Sequence, residues 1–314
     1  MVLYEAHSDF CRLMTTFHMK IIKQTIFLPI LILIAIAASE AQADQPGKKL
    51  GWQQLDEGIE LGTFLSPIKA EVGDSMVRVL RIDPKYYRLR LLNASAIKNG
   101  SPITPKQWCR QNGLTAAINA SMYQTDYKTS VSLMRKKGHI NNPRLSKDMT
   151  ILAFDRLDNS VPEVKIIDRQ CDDFGTLKTK YATLIQSIRM ISCTGKNVWK
   201  KQSRRWSTSA IGIDGENKIL FIHVRSLYST HDLINILKRL PLNISRAMYT
   251  EGGPQAQLYV KTADKEFEFV GSYEVASSDA NKGSLSWPLP NVVGIAKRKP
   301  EPGQQGQSVR SPKE

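Results

Sequence analysis

Residues 246–261 read "RAMYTEGGPQAQLYVK". Apolar and polar side chains alternate up to Glu251, as in a strand with one buried face. Gly252, Gly253 and Pro254 break that pattern, and Ala256-Gln257-Leu258-Tyr259-Val260 resumes it. A bare hairpin would account for two strands and a glycine turn. It would not account for an acid at the mouth of the turn. The competing reading is a site. Glu251 is then a carboxylate held at a strand end, and Gly252 and Gly253 leave backbone N–H groups open to a ligand.

The same two-residue period recurs along the chain. "SMVRVLRID" (75–83) and "YYRLRLLNA" (86–94) predict strands on either side of Pro84-Lys85. "LTAAINA" (114–120), "TILAFD" (150–155), "EVKIID" (163–168) and "ATLIQSIRMI" (182–191) predict four more, and Lys137-Gly138 marks a tight turn. "STSAIGID" (207–214) and "KILFIHVRS" (218–226) predict a hairpin that turns at Asp214-Gly215. "EFEFVGS" (266–272) and "NVVGIAKR" (291–298) complete the set.

Helix signals are few. Thr104-Pro105 opens one helix and Gly113 ends it. Ser229 and Asp232 have capping-box spacing before a second. Its Leu233, Ile236, Leu237 and Leu240 share a face, and Pro241 stops it. The expectation is an α+β fold: a single domain over residues 52–298 with a mixed, mainly antiparallel β-sheet core and a few flanking helices.

The chain ends read differently. Lys20 and Lys23 precede the apolar run 26–38, and Ala41-Gln42-Ala43 has the form of a cleavage site. That predicts a secretory signal over residues 1–43, with Met14 or Met19 as alternative starts and an uncleaved anchor as the lesser reading. A linker (44–51) and a disordered tail (299–314) flank the domain. The expected location is outside the cytosol, periplasmic or secreted. Lys and Arg number 44 against 29 Asp and Glu, a net charge of +15. Such a charge favours anionic partners. For an exported protein these are acidic or phosphorylated glycans, or a membrane surface, and no nucleic acid is expected. Cys171 and Cys193 are a candidate bridge in an oxidising compartment, with Cys109 left over. Nothing in the sequence sets the oligomeric state.

No P-loop, G-x-S-x-G, H-E-x-x-H, C-x-x-C or dinucleotide fingerprint occurs, so neither a metal nor a cofactor is expected. Polar residues at strand ends remain: Asn119, Arg189, Ser207, Arg225 and Glu251, with His231 in the first turn of the second helix. Asp126, in the polar loop after Asn119, is the alternative carboxylate. Trp206 suits sugar stacking or the core equally well.

Four segments carry a resemblance. "AAINASMY" (116–123), "STSAIGIDGENKILFIHV" (207–224), "AMYTEGGPQAQLYV" (247–260) and "WPLPNVVGIA" (287–296) resemble the INGGFF, RTAIG, LDGGGS and VPN motifs of the phosphodiester glycosidase family, in order and spacing. The resemblance implies a hydrolase that cleaves a glycosyl phosphodiester. The departing phosphate monoester is a good leaving group, so the acid half of the usual carboxylate pair is less needed. One carboxylate can activate water or stabilise the oxocarbenium-like centre, and Glu251 fits that role. Arg189 and Arg225 fit the phosphate by their forked geometry. Asn119, Ser207 and His231, with Asp126 and the Gly252 and Gly253 amides, are expected to bind substrate. Three departures stand out. Thr208 replaces the arginine of RTAIG, Glu251 the aspartate of DGG, and Ala120-Ser121 the first glycine pair. Arg204 or Arg205 is placed to resupply the missing cation. The alternative to catalysis is a module of the same fold that binds acidic glycans through its basic surface. Cleavage at phosphorus is disfavoured because no metal-ligand cluster is visible.

Overall fold

The computed structural model describes residues 50–272 and 285–299. The predicted signal (1–43), most of the linker and the tail from residue 300 onward lie outside the described residues. β1 (Gly51–Asp56), β2 (Ile59–Leu65), β3 (Met76–Ile82) and β4 (Tyr87–Asn93) precede α1 (Pro105–Asn112) and β5 (Ala116–Asn119). β6 (Met134–Lys136), β7 (His139–Asn142), β8 (Thr150–Arg156), β9 (Val164–Asp168), α2 (Phe174–Leu177), β10 (Tyr181–Ser187) and β11 (Arg189–Ile191) follow. β12 (Trp206–Asp214), β13 (Ile219–Tyr228), α3 (Thr230–Arg239) and β14 (Ile244–Gly252) lead to a 3-10 turn, Gly253–Gln255. β15 (Gln257–Lys261), β16 (Glu266–Val270) and β17 (Asn291–Lys297) close the order.

The strands form three antiparallel sheets with few helices beside them. One has the order β1-β2-β3-β13-β12-β14-β11, the second β7-β6-β10-β8-β9, and the third β16-β15-β5-β17-β4. Their inner faces meet in one apolar cluster that includes Leu80, Ile118, Leu152, Ile185, Phe221, Met248, Leu258 and Val293. Each such side chain contributes roughly 1.5–3 kcal/mol by leaving water. On the other face of the first sheet, Leu233, Ile236 and Leu237 of α3 pack with Val79, Ile222 and Tyr249.

Both helix signals hold. Thr104 Oγ1 accepts from the Gln107 amide, and Gly113 ends α1 in the left-handed region. Ser229 Oγ accepts from the Asp232 amide, and α3 ends before Pro241. Several strand expectations are corrected. The run 182–191 is two strands in different sheets, because the chain changes sheets at Ile188, whose carbonyl accepts from Tyr249 N–H. β3 and β4 likewise diverge after Pro84-Lys85 into the first and third sheets. In the β12–β13 turn the positive φ falls on Asn217 and not on Gly215. The Gly-Gly-Pro segment is no hairpin, because β14 and β15 lie in different sheets.

Cys171 and Cys193 are joined in a disulfide, 22 residues apart. The bond ties the segment after β9 to the segment after β11. Replacing both by serine should lower the unfolding free energy by about 3 kcal/mol, mainly by freeing the unfolded chain. Denaturant titration of oxidised, reduced and doubly substituted protein measures it. Identical midpoints in all three would show that the bridge adds nothing.

Candidate active site

The turn after β14 is held from several sides. Asn119 Oδ1 accepts from Gln257 N (2.8 Å) and Ser209 Oγ (3.1 Å), while its Nδ2 donates to Gln255 O (2.9 Å). His223 Nε2 donates to Ala256 O at 3.1 Å, and Gly271 N donates to the same carbonyl at 2.8 Å. Burial drives the His223 pKa down to about 3, so this imidazole is a neutral, fixed donor.

Glu251 sits at the head of that turn, 9% exposed. Its Oε1 accepts from Gly252 N at 3.0 Å. Burial pushes its pKa up to about 7, partly offset by the Gly252 N–H. Aromatic side chains surround it. Burial and then the Glu251 charge raise the pKa of both Tyr123 and Tyr249. A Cβ at residue 252 would overlap the Tyr249 phenol oxygen and the Trp206 indole, so Gly252 is required by that contact. Gly253 has φ +66° with open space where its Cβ would point. Trp199 stands behind Tyr249, with ring centroids 5.9 Å apart. The carbonyl of Trp199 accepts from His231 Nδ1 at 2.6 Å, which fixes the ring orientation.

The structure therefore groups Glu251, Gly252 and Gly253 with Trp206, and it links His231 to them through Trp199 and Tyr249. Other predicted residues serve the framework. Asn119 is buried and its amide is committed as described. Ser207 Oγ donates to Arg225 O and accepts from Ser272 N at 2.9 Å, so this buried hydroxyl ties strands together. Arg225 lies half-buried beside it on β13. Arg189, expected to hold phosphate, bonds through Nη1 to both oxygens of buried Asp168, at 2.9 and 3.0 Å, and to Gln170 Oε1 at 2.8 Å. Asp126, the alternative carboxylate, lies in the loop after Asn119. It is exposed, and its oxygens accept from the amides of Lys128 and Thr129 and from the Thr129 hydroxyl, as in a turn. Arg205 pairs with Glu71, and Thr208 is buried opposite Gly252 with no partner for its hydroxyl among the described residues.

Tyr249, Tyr123 and Trp199 were missed by the sequence reading. Tyr249 lies two residues before Glu251, but β14 shifts register against β12 between them, so strand alternation does not announce the pair. A carboxyl group poised near neutrality among aromatic rings can exchange a proton at physiological pH and stack a sugar.

Two glycine variants separate the demands. Gly252→Ala should displace Tyr249 and Trp206, alter tryptophan fluorescence and cost about 1–3 kcal/mol. Gly253→Ala should cost about 1–2 kcal/mol through its backbone alone and leave the fluorescence unchanged. An unaltered spectrum in Gly252→Ala would refute the contact.

The phosphodiester glycosidase pattern matches residues 112–296, more than half of the chain. No curated protein matches it by sequence. Among solved structures, the fold is similar to the catalytic domain of zebrafish N-acetylglucosamine-1-phosphodiester alpha-N-acetylglucosaminidase, auto-inhibited by pro-peptide. That match has TM-score 0.55 and 14% identity, and covers 79% of this chain and 87% of that one. A hypothetical protein from Synechocystis is similar at TM-score 0.52 and 13% identity, over 82% of this chain and 65% of that one. With its motifs in family order on a shared antiparallel fold, the chain belongs to the phosphodiester glycosidase family.

Proposed function

We propose that this protein is an exported hydrolase that cleaves a glycosyl phosphodiester at the anomeric carbon, with Glu251 activating water or stabilising the developing cation. The observation that carries the reading is Glu251 itself: a buried carboxyl with a pKa near 7 at the end of a rigid strand, beside the open Gly253. The aromatic side chains supply faces on which a sugar ring can stack. The bond type is the one in the zebrafish enzyme's name, carried here as part of the proposal. The Cys171–Cys193 bridge supports an oxidising compartment, periplasmic or secreted. A single domain over residues 52–298 is part of the same reading.

A non-catalytic glycan-binding module is the second reading. Two observations favour it: Thr208 stands where the family motif has arginine, and Arg189 is committed to Asp168. Released reducing sugar from a sugar-1-phosphodiester decides between the two.

Glu251→Gln keeps the shape but cannot accept a proton, so turnover should fall about a hundredfold or more. For wild type, kcat/KM should rise with pH through about 7 as Glu251 ionises. A bound phosphodiester adds a like charge, so the rise in kcat should lie higher still. Stability moves the other way. The folded pKa exceeds the ordinary 4.5, so the contribution is complete below pH 4.5 and is lost as pH rises through about 7. Glu251→Gln should therefore melt above wild type at pH 8, by up to roughly 3 kcal/mol, and match it at pH 4. Wild-type turnover in a folded Glu251→Gln protein would end the catalytic reading.

Export has its own check. N-terminal sequencing of the processed protein should begin at or near Asp44, and recovery of an intact cytosolic chain would exclude it.

A further inference from the structure

Two hollows abut away from the Glu251 turn, of ≈ 560 and ≈ 400 Å³, and both are lined by Lys136 and Lys137. Together they make a groove between β4, an edge strand of the third sheet, and the β6–β7 hairpin of the second. Arg88 and Arg90 line one part, Arg135 and His139 the other. Asp155 is the one acid among the lining residues.

Among the described residues the donors of these cations go mostly to carbonyl groups. Lys136 Nζ donates to Leu91 O at 3.1 Å, Arg90 to Asn112 O at 2.9 Å, and Arg135 to Lys178 O at 2.7 Å. Carbonyl groups satisfy the donors but carry no net charge. No ion pair involves Arg88, Arg90, Arg135, Lys136 or Lys137 among the described residues. Elsewhere cations are matched, as in Arg81–Glu60, Arg156–Glu163 and Lys297–Asp56. A third hollow, which includes Arg81 and Lys218, is also lined by Glu57, Glu60 and Asp83. Burial, and then the charge of Arg90, holds the Lys136 pKa below its usual value, and Asp155 offsets this only in part.

We propose that this groove binds a linear anionic glycan, one that carries phosphate, sulfate or carboxylate groups along its length. Arg88 and Arg90 alternate onto one face of β4, roughly 7 Å apart, and so present charge as a row. Ile140 and Leu157, 61% and 68% exposed, line the same groove and offer aliphatic surface to sugar C–H faces. The concave shape suits a strand-like polymer better than a flat bilayer. No phenylalanine, tyrosine or tryptophan lines it, so it lacks the stacking platform that single-stranded nucleic acid uses. The groove would bind its ligand whether or not Glu251 turns over substrate.

Fluorescence anisotropy with a labelled, fully sulfated heparin-type decasaccharide tests it on the whole chain. Binding should weaken between about 50 and 200 mM salt, as exposed charges are screened. Arg88→Glu with Lys137→Glu, both at exposed positions, should weaken it about tenfold or more. Arg88→Ala with Lys137→Ala guards against misfolding and should show a smaller loss in the same direction. Lys69→Glu with Lys238→Glu makes the same net charge change at exposed positions outside the groove and should have little effect. Equal losses from both glutamate pairs would mean diffuse attraction to a basic protein and would overturn the proposal. Tighter binding to phosphatidylglycerol vesicles, or to a single-stranded oligonucleotide, than to the decasaccharide would also overturn it. Turnover of a small glycosyl phosphodiester should be unchanged in the groove variants, so failure here is separable from failure of the catalytic reading.

Discussion

The Asn119 carboxamide is the contact on which the site depends. One buried side chain bonds to a strand of the first sheet through Ser209, to β15 of the third through Gln257, and to the 3-10 turn through Gln255. Glu251 leaves the first sheet where that turn begins, so its direction is set by how the two sheets are joined. A neutral amide suits the task. It donates and accepts at once, and it carries no charge whose burial would have to be offset. The motif resemblance assigned Asn119 to substrate. In the structure its carboxamide is engaged with Ser209, Gln257 and Gln255 and holds the turn still.

Burial acts in opposite directions on the two titratable groups around this turn. It disfavours charge on both, so His223 falls to about 3 while Glu251 climbs to about 7. The histidine therefore keeps its bond to Ala256 across the whole range in which the glutamate exchanges its proton. A scaffold that does not titrate carries a carboxyl that does, which a proton-transfer group requires if its geometry is to survive its own chemistry.

Local signals in the sequence were legible where the physics is local. Thr104 and Ser229 cap their helices because a hydroxyl three residues before an amide is enough to do it. Most strand positions followed from the two-residue period, though β1 and β2 were not read from it. Strand partners did not, because a period of two reports which face is buried and not which strand lies alongside. Hence β3 and β4, adjacent in sequence, entered different sheets, and the Gly-Gly-Pro segment became a crossing between sheets. The surroundings of Asp126 and Arg189 divide along the same line. Asp126 is bound by amides two and three residues on, a turn that its sequence neighbours already implied. Arg189 is bound by Asp168, 21 residues away, and no local pattern announces that pair.

Charge is segregated in this protein, and the segregation bears on how each region can work. Burial is the leading cause of the Glu251 shift, and the Gly252 N–H is the other. A guanidinium beside Glu251 would have drawn its pKa down and left a weaker base, and no arginine is among the causes of its shift. The cations beside β4 lie in a different place, where exposed or half-exposed side chains meet solvent and long-range attraction costs little desolvation. A row of cations on one surface and a buried carboxyl among aromatic rings elsewhere are thus separate features of one basic protein. The net charge of +15 alone would not have revealed that division. It follows from which cations have carboxylate partners and which do not.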